Sequence, residues 1–359
     1  MSALGSSLAI VLAKVRGRRL ARAIAAEQPT VTTVAVYFAD APQTLYQLRR
    51  WYRVLEALNS TYPTTIITSD PSTYAVVRRE TTVAVTFATG APELARALDR
   101  LQPRVILYPN HNALNFRVLR FAAPVHVFIG HGESAKESSV SRQLKAYDLD
   151  FVADRSSIDQ VRGIRGYDAD ASAVVIGSPW LGFLGSPPAS WRPDDRKVVL
   201  YAPTWEGDRP SMDYSSVESL GESIVSAVLA APGLRLIYRP HPWLGRVRSA
   251  TAAVDARIRR DIMTANRGDV IDTGEYGWAL NAADICVADI SSVEHDIRAL
   301  GKPLLLTGEV ENKDPSGIRE AIERALAAGA SSPAAPSTSM AGLLAGIASA
   351  LRLGAEPTL

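Results

Sequence analysis

The chain is poor in cysteine, in net charge and in long apolar runs, and each shortage excludes a class of protein. Cys286 is the single cysteine among 359 residues, so no internal disulfide can form and we expect a reduced thiol in a cytoplasmic protein. The formal net charge is only +2, which argues against a nucleic-acid partner. No run approaches the roughly 20 apolar residues that span a bilayer.

Several motifs with well-defined chemistry are also missing. The sequence contains no P-loop, no HExxH, no CxxC, no G-x-G-x-x-G and no G-x-S-x-G elbow. The usual signatures of zinc hydrolases, dinucleotide enzymes and serine hydrolases are therefore lacking. We expect chemistry without a metal or a cofactor, in which histidines and a helix terminus handle the charge.

Hydrophobic residues make up 47% of the chain, enough for sizeable cores. Short β-rich runs alternate with helical patterns, which indicates right-handed βαβ units and parallel sheets. A stretch rich in Gly, Pro and Ser at 177–197 is typical of a linker. We therefore predict an α/β fold of two doubly wound Rossmann-like domains, 27–180 and 195–359, facing a central cleft. The strand candidates are 31–38, 64–69, 83–88, 104–109, 125–130, 151–154, 173–178, 197–203, 234–240, 269–274, 284–289 and 303–308.

The N-terminal segment, residues 1–26, interleaves basic and apolar side chains. As a helix it would be amphipathic, and such helices can lie on anionic membranes. An ordinary surface helix with a solvated basic face explains the pattern equally well. A peripheral membrane contact is therefore one of two open interpretations.

Polar clusters follow five of the predicted strands. They read "YPNHN" and "IGHGESAKESS" in the first domain, and "YAPTWEGD", "YRPHPW" and "DISSVEHD" in the second. Ligands of open parallel sheets bind beyond the carboxyl ends of the strands. Five polar strand ends therefore indicate one binding cleft.

The serine pair of "DISSVEHD" has two interpretations. Ser291 followed by Glu294 fits a capping box, which is a purely structural device. The same helix start, at Ser291 and Ser292, would direct N–H groups and a positive dipole end toward an anion. Asp296 would then meet ribose hydroxyls, or else make a local polar contact.

The histidines at strand ends are the candidate catalytic groups. Arg239 and His241 lie in "YRPHP", where an arginine fork can bind phosphate and a histidine can donate to it or move a proton. His131 lies between glycines in "GHGESAK" as a candidate general base, with Lys136 holding an anionic acceptor. His111 in "PNHN" has a weaker case for binding the acceptor. Each histidine could instead be a structural, hydrogen-bonded residue.

These motifs occur together in a known family. "HGxxxK", "YAPTW", "RPHP" and "D-x-SS-x-x-x-D", in this order between residues 125 and 306, resemble the CDP-glycerol glycerophosphotransferases that act as teichoic-acid polymerases and primases. The resemblance implies a GT-B fold and metal-independent transfer of a polyol phosphate from a CDP-activated donor. The acceptor would be a lipid-linked or polymeric saccharide of the cell envelope or capsule. The enzyme would act in the cytoplasm at the inner face of the membrane.

The resemblance also implies residue roles. His131 would be the base on the acceptor hydroxyl, and His241 would handle the donor phosphate. Ser291 and Ser292 would contact the pyrophosphate. Thr204 and Trp205 would line the donor site.

Two departures from the family pattern stand near these residues. The sequence reads "HGESAK" where HGTPLK is common, and Glu206 follows "APTW" where a basic residue is usual. A GT-B glycosyltransferase using a nucleotide sugar remains an alternative. So does a non-catalytic subunit of an envelope-polymer assembly.

Overall fold

The computed structural model describes residues 31–132, 141–272, 276–329 and 338–355. The chain divides into two compact units. The first holds the described residues up to 131, those of 141–180 and the C-terminal helix, and the second holds Gly132 and those of 181–329. The unit boundary at 180–181 falls within the Gly-, Pro- and Ser-rich stretch. The proposed amphipathic segment, residues 1–26, lies outside the described residues.

The first unit is built on a seven-stranded parallel sheet in the order β3-β2-β1-β4-β5-β6-β7. Its inner strands are buried because helices cover both faces of such a sheet, whereas the edge strand β7 is partly exposed. The strands are β1 Val34–Phe38, β2 Thr64–Thr68, β3 Ala84–Phe87, β4 Val105–Tyr108, β5 Val125–Phe128, β6 Leu149–Val152 and β7 Ala173–Val175. The helices are α1 Tyr46–Arg49, α2 Tyr52–Asn59, α3 Pro71–Glu80, α4 Ala91–Leu101, α5 Phe116–Leu119, α6 Arg155–Val161 and α7 Ala169–Ser172.

The second unit carries a five-stranded parallel sheet in the order β10-β9-β8-β11-β12. Its core lies between this sheet and the helices that follow its strands. The strands are β8 Lys197–Ala202, β9 Leu234–Tyr238, β10 Gly268–Val270, β11 Ile285–Ala288 and β12 Leu304–Leu306. The helices are α8 Glu222–Ala230, α9 Ser249–Ala265, α10 Gly277–Ala282, α11 Ser292–Ala299 and α12 Pro315–Ala328.

The last helix, α13 (Met340–Leu353), packs on the first sheet, against β4, β5 and β7. This segment therefore belongs to the first unit and not to the predicted domain 195–359. Gly342 lies directly against the backbone of Ile176, where any side chain would collide. Arg104 also donates to the Leu351 carbonyl at 2.8 Å. These contacts, made possible by a glycine, join the C-terminal helix to the first unit.

Candidate active site

The strand order defines where each sheet can hold a ligand. In both sheets the direction of winding reverses next to the first strand of the unit, between β1 and β4 in one and between β8 and β11 in the other. Open α/β sheets bind ligands at such switch points, beyond the carboxyl ends of the strands. The residues that follow these four strands are therefore the first to consider.

A side-chain network spans the switch point of the first unit. Asp40, two residues after β1, accepts hydrogen bonds at 2.6 Å from the side-chain amides of both Asn110 and Asn112, which follow β4. Asn110 also donates to the Gln47 side chain at 2.8 Å. Asp40 is not part of any of the five polar clusters predicted from the sequence. The available signal was an acidic residue two positions after the first predicted strand.

His131 follows β5, at the same edge of the sheet. Its Nδ1 lies 3.1 Å from the carbonyl oxygen of Pro109. Because a carbonyl only accepts, Nδ1 carries the proton and Nε2 carries the lone pair of the neutral ring. Burial, reinforced by the charge of Arg50, lowers the pKa of His131 to about 4 even though the Pro109 hydrogen bond opposes this effect. The ring is therefore neutral at pH 7, with its lone pair on Nε2.

His111 lies in the loop fixed by Asp40. Its ring stacks on Phe128 with 4.1 Å between centroids and 6° between planes. Neither ring nitrogen has a hydrogen-bond partner among the described residues. Burial, together with the neighbouring His131, lowers the pKa of His111 to about 4. Lys136, the other residue predicted to bind the acceptor, lies outside the described residues.

In the second unit a buried carboxylate spans the switch point. Asp289 follows β11, and its Oδ2 accepts from the backbone N–H groups of Thr204 at 2.8 Å and Ser216 at 3.2 Å. Its Oδ1 accepts from the Thr307 hydroxyl at 2.5 Å. Burial raises the pKa of Asp289 against the opposing effect of these hydrogen bonds. Asp289 therefore fixes Thr204 through its backbone, and Thr204 itself is 2% exposed.

His241 follows β9, and its Nδ1 faces a backbone N–H where that of His131 faces a carbonyl. Its Nδ1 accepts from the backbone N–H of Trp243 at 3.1 Å. The proton of the neutral ring is therefore on Nε2, which makes that nitrogen a hydrogen-bond donor. The Trp205 ring stacks against His241, with 6.1 Å between centroids and 20° between planes. Trp205 and His241 thus lie together at the carboxyl ends of β8 and β9.

Arg239 is backed by an aromatic ring from outside the predicted motifs. Its guanidinium lies 4.0 Å from the centroid of the Tyr276 ring. The Tyr276 hydroxyl donates to Asp296 Oδ2 at 3.4 Å. Asp296 is only 1% exposed, and this local polar contact is one of the two interpretations given above.

Ser291 is the N-cap of α11, as the capping pattern predicted. Its hydroxyl accepts from the Glu294 N–H at 3.4 Å, and the Glu294 carboxylate pairs with Arg298 rather than returning to the cap. A single side chain can satisfy only part of a helix start, where the first N–H groups have no intrahelical acceptor. Ser292 begins the helix and is partly exposed.

The two doubly wound sheets belong to the GT-B class, and solved structures show the same fold. A variant of the wall teichoic acid polymerase TagF matches with a TM-score of 0.58 and 13% identity, over 92% of this chain and 91% of that chain. The UDP-GlcNAc 2-epimerase of Neisseria meningitidis, bound to UDP-GlcNAc, matches with a TM-score of 0.59 and 13% identity, over 88% and 98%. At these identities the likeness shows the fold alone.

The family follows from the sequence itself. The model of the CDP-glycerol:poly(glycerophosphate) glycerophosphotransferase family matches residues 130–309, half of the chain. The chain belongs to this family and is an enzyme of the glycerophosphotransferase type. The match contains His131 and His241 but not His111. No curated protein sequence matches the chain.

The helices also bear on whether the chain crosses a membrane. None of those within 31–132, 141–272, 276–329 and 338–355 is both long enough and apolar enough to cross a bilayer.

Proposed function

We propose that this enzyme transfers a polyol phosphate, most simply glycerol phosphate, from a CDP-activated donor to a hydroxyl of a lipid-linked or polymeric saccharide, and releases CMP. The observation that carries the proposal is the pair of backbone contacts at the two Nδ1 atoms, which favour opposite tautomers of the two rings. A carbonyl at His131 Nδ1 makes Nε2 the basic nitrogen of that ring, and a backbone N–H at His241 Nδ1 makes Nε2 the protonated nitrogen of the other. Phosphoryl transfer to a hydroxyl is accelerated by a base on the hydroxyl and by a donor to the phosphate oxygens.

In the proposed reaction the acceptor oxygen attacks the β-phosphorus of the donor. The new bond joins phosphorus to the acceptor oxygen, and the bond to the bridging oxygen of CMP breaks. The acceptor proton passes to His131 Nε2. His241 Nε2–H donates to a phosphate oxygen, where negative charge develops.

The donor diphosphate is assigned to the second unit. Arg239 offers a fork of donors with the Tyr276 ring behind it. The start of α11 at Ser291 and Ser292 offers backbone N–H groups and the positive end of the helix dipole. Trp205 completes the donor side. The buried Thr204 and Asp296 support it from within the unit, since the Thr204 N–H donates to Asp289 and Asp296 accepts from the Tyr276 hydroxyl behind Arg239.

The acceptor is assigned to the first unit, where His111 lies near the proposed base. Lys136 would place a positive charge beside an anionic acceptor.

Residues 1–26 would hold the enzyme at the inner face of the membrane, near a lipid-linked substrate. Deleting them should abolish cosedimentation with anionic vesicles at low salt, and unchanged cosedimentation would contradict the membrane assignment.

A nucleotide panel tests the donor assignment. A ligand that binds only the folded state raises the melting temperature with concentration, by a stabilisation of about 2.7 kcal/mol at one hundred times Kd. We expect this response to CDP-glycerol or CDP-ribitol and to CMP, and a weaker one to UDP-GlcNAc. CMP release with a saccharide acceptor should follow. Release of a nucleoside diphosphate from a nucleotide sugar would instead identify a glycosyltransferase.

A further inference from the structure

Glu206 is a buried carboxylate that connects two loops at the edge of the second sheet. It follows Trp205 in the loop after β8 and is 3% exposed. Its Oε2 accepts from the N–H of Gly245 at 3.0 Å. Its Oε1 accepts from the N–H groups of Val247 at 2.9 Å and Arg248 at 3.1 Å. Both oxygens are therefore occupied by backbone donors of one distant loop.

That loop, residues 241–248, begins with His241. The His241 N–H donates to the carbonyl of Pro203 at 3.2 Å, in the same loop as Glu206. The loop after β8 thus holds the 241–248 loop at both ends, through Pro203 at the beginning and Glu206 at the end. Between these two points lies the Trp243 N–H that sets the tautomer of His241.

Gly245 shows how closely the loop is built around the carboxylate. Its φ is +73°, a conformation that favours glycine, and a Cβ there would lie 2.7 Å from the Ala252 Cα in α9. The backbone can therefore turn its N–H toward Glu206 only with glycine at this position. Burial alone would raise the pKa of Glu206, but the backbone donors outweigh it and lower the pKa below its usual value. The group is a carboxylate at neutral pH.

We propose that Glu206 is a positioning residue, whose carboxylate fixes the 241–248 loop so that His241 presents Nε2–H to the donor phosphate. The inference rests on the proposed function. Glu206 cannot itself bind either substrate in this arrangement, because both of its oxygens are buried and occupied. A lysine or arginine at position 206 has only hydrogen-bond donors, which could not pair with the three N–H groups of the 241–248 loop. The loop therefore requires a hydrogen-bond acceptor at this position.

Glu206→Gln is the direct test, because it keeps the shape and turns an NH₂ group toward at least one backbone N–H. Misplacement of a reacting group by about 1 Å can cost about 10²-fold in rate. We expect kcat to fall by about 10- to 100-fold. The amides of Gly245, Val247 and Arg248 should exchange faster with solvent, and the His241 ring resonances should shift in NMR spectra.

Two further variants complete the design. Glu222→Gln is the matched control, since Glu222 is exposed on α8 and pairs with Arg257. It should match the wild type in every measurement. Glu206→Asp keeps the charge on a shorter side chain, and its kcat and amide protection should fall between those of the wild type and Glu206→Gln. If Glu206→Gln does not fold, the kcat and amide protection of Glu206→Asp test the positioning role instead.

The outcomes separate this inference from the proposed function. Wild-type His241 resonances and amide protection in Glu206→Gln, with unchanged kcat, would overturn the positioning role. Absence of turnover by the wild type on every CDP-polyol would instead overturn the proposed function. The exchange and NMR measurements would still show whether Glu206 positions His241.

Discussion

The two switch points are both spanned by a carboxylate, but the carboxylates hold different kinds of partner. In the first unit Asp40 reaches from β1 to the side-chain amides of Asn110 and Asn112. In the second unit Asp289 reaches from β11 to backbone N–H groups, including that of Thr204. Side-chain amides can rotate to new partners, whereas a buried backbone N–H cannot move without its chain.

This difference matches the two proposed tasks. A donor diphosphate has a constant shape, and it suits the second unit, where Asp289 and Glu206 both hold backbone atoms. A polymer or lipid-linked acceptor varies, and it suits the first unit, where a side-chain network supports the loop that carries His111. Preorganised backbone groups also need no rearrangement as charge develops on the phosphate.

The largest expected effect comes from the two histidines. His131→Ala removes the proposed base, and kcat should fall by about 10²- to 10⁴-fold while the donor still binds. His241→Ala removes a donor to the phosphate, so kcat should fall by about 10²- to 10³-fold and the donor should bind more weakly. Single-turnover CMP release and equilibrium binding of CDP-glycerol measure the two effects separately.

His111→Ala, in the loop beside His131, is the control for local disturbance. It should leave donor binding unchanged and raise the KM for the acceptor. Near-native turnover in both His131→Ala and His241→Ala would end the proposed division of roles between the units.

The next effect compares the two switch-point carboxylates directly. Asp289→Ala leaves two buried N–H groups and a hydroxyl without an acceptor, so it should cost about 3 kcal/mol or more of unfolding free energy. Asp40→Ala leaves amides that can turn to other partners and should cost about 1 kcal/mol. Urea unfolding followed by circular dichroism measures both. Equal losses of unfolding free energy in the two variants would contradict the proposed difference between a carboxylate that binds backbone N–H groups and one that binds side-chain amides.

Acid should affect the first unit before the second. His131, with its pKa lowered from 6.5 to about 4, binds fewer protons when folded than when unfolded. Its contribution to stability is therefore present above pH 6.5 and is lost as the pH falls toward 4. Glu206, whose pKa is lowered from 4.5, loses its contribution only below that value. Hydrogen exchange of the two sheets at pH 7 and pH 5 should show the difference.

The same pKa predicts the acid limb of activity. With an ordinary pKa of 6.5, a base would lose about thirtyfold of kcat/KM at pH 5. With a pKa of about 4 in His131, kcat/KM should change little between pH 7 and pH 5. An acid limb centred near 6.5 that disappears in His131→Ala would show that the ring is more exposed in the working enzyme.

Much of the architecture could be predicted from the sequence. All of the predicted strands are present, with ends shifted by a few residues, because buried parallel strands are short β-branched runs bounded by Gly, Pro and polar residues. The positions of His131 and His241 past strands followed from the same pattern. The place of α13 did not, because its packing against β7 depends on a contact between residues more than 160 positions apart, Gly342 and Ile176.

The supporting residues were harder to predict than the histidines. Glu206 was noticed as a departure from the family pattern, but its partners are backbone N–H groups that leave no signal in side-chain identity. The sequence likewise shows Asp289 only as the last residue of a predicted strand, because two of its partners are backbone N–H groups. Tyr276 carries no motif at all. Residues that act by positioning another residue could not be predicted from the sequence, because their partners lie in loops that only the fold places next to them.

The smallest expected effect concerns the Tyr276 ring behind Arg239. Tyr276→Leu keeps an apolar side chain but removes the ring face, 4.0 Å from the guanidinium, and the hydrogen bond to Asp296. A cation–π contact of this kind contributes about 0.5–2 kcal/mol, so donor affinity should fall by a few-fold to about thirtyfold. Tyr276→Phe keeps the ring and loses only the 3.4 Å hydrogen bond, so it should bind CDP-glycerol almost as the wild type does. If Tyr276→Phe and Tyr276→Leu weaken donor binding equally, the hydrogen bond from the Tyr276 hydroxyl to Asp296, and not the ring face, supports Arg239. The second unit would then depend on a contact between side chains, as the first unit does.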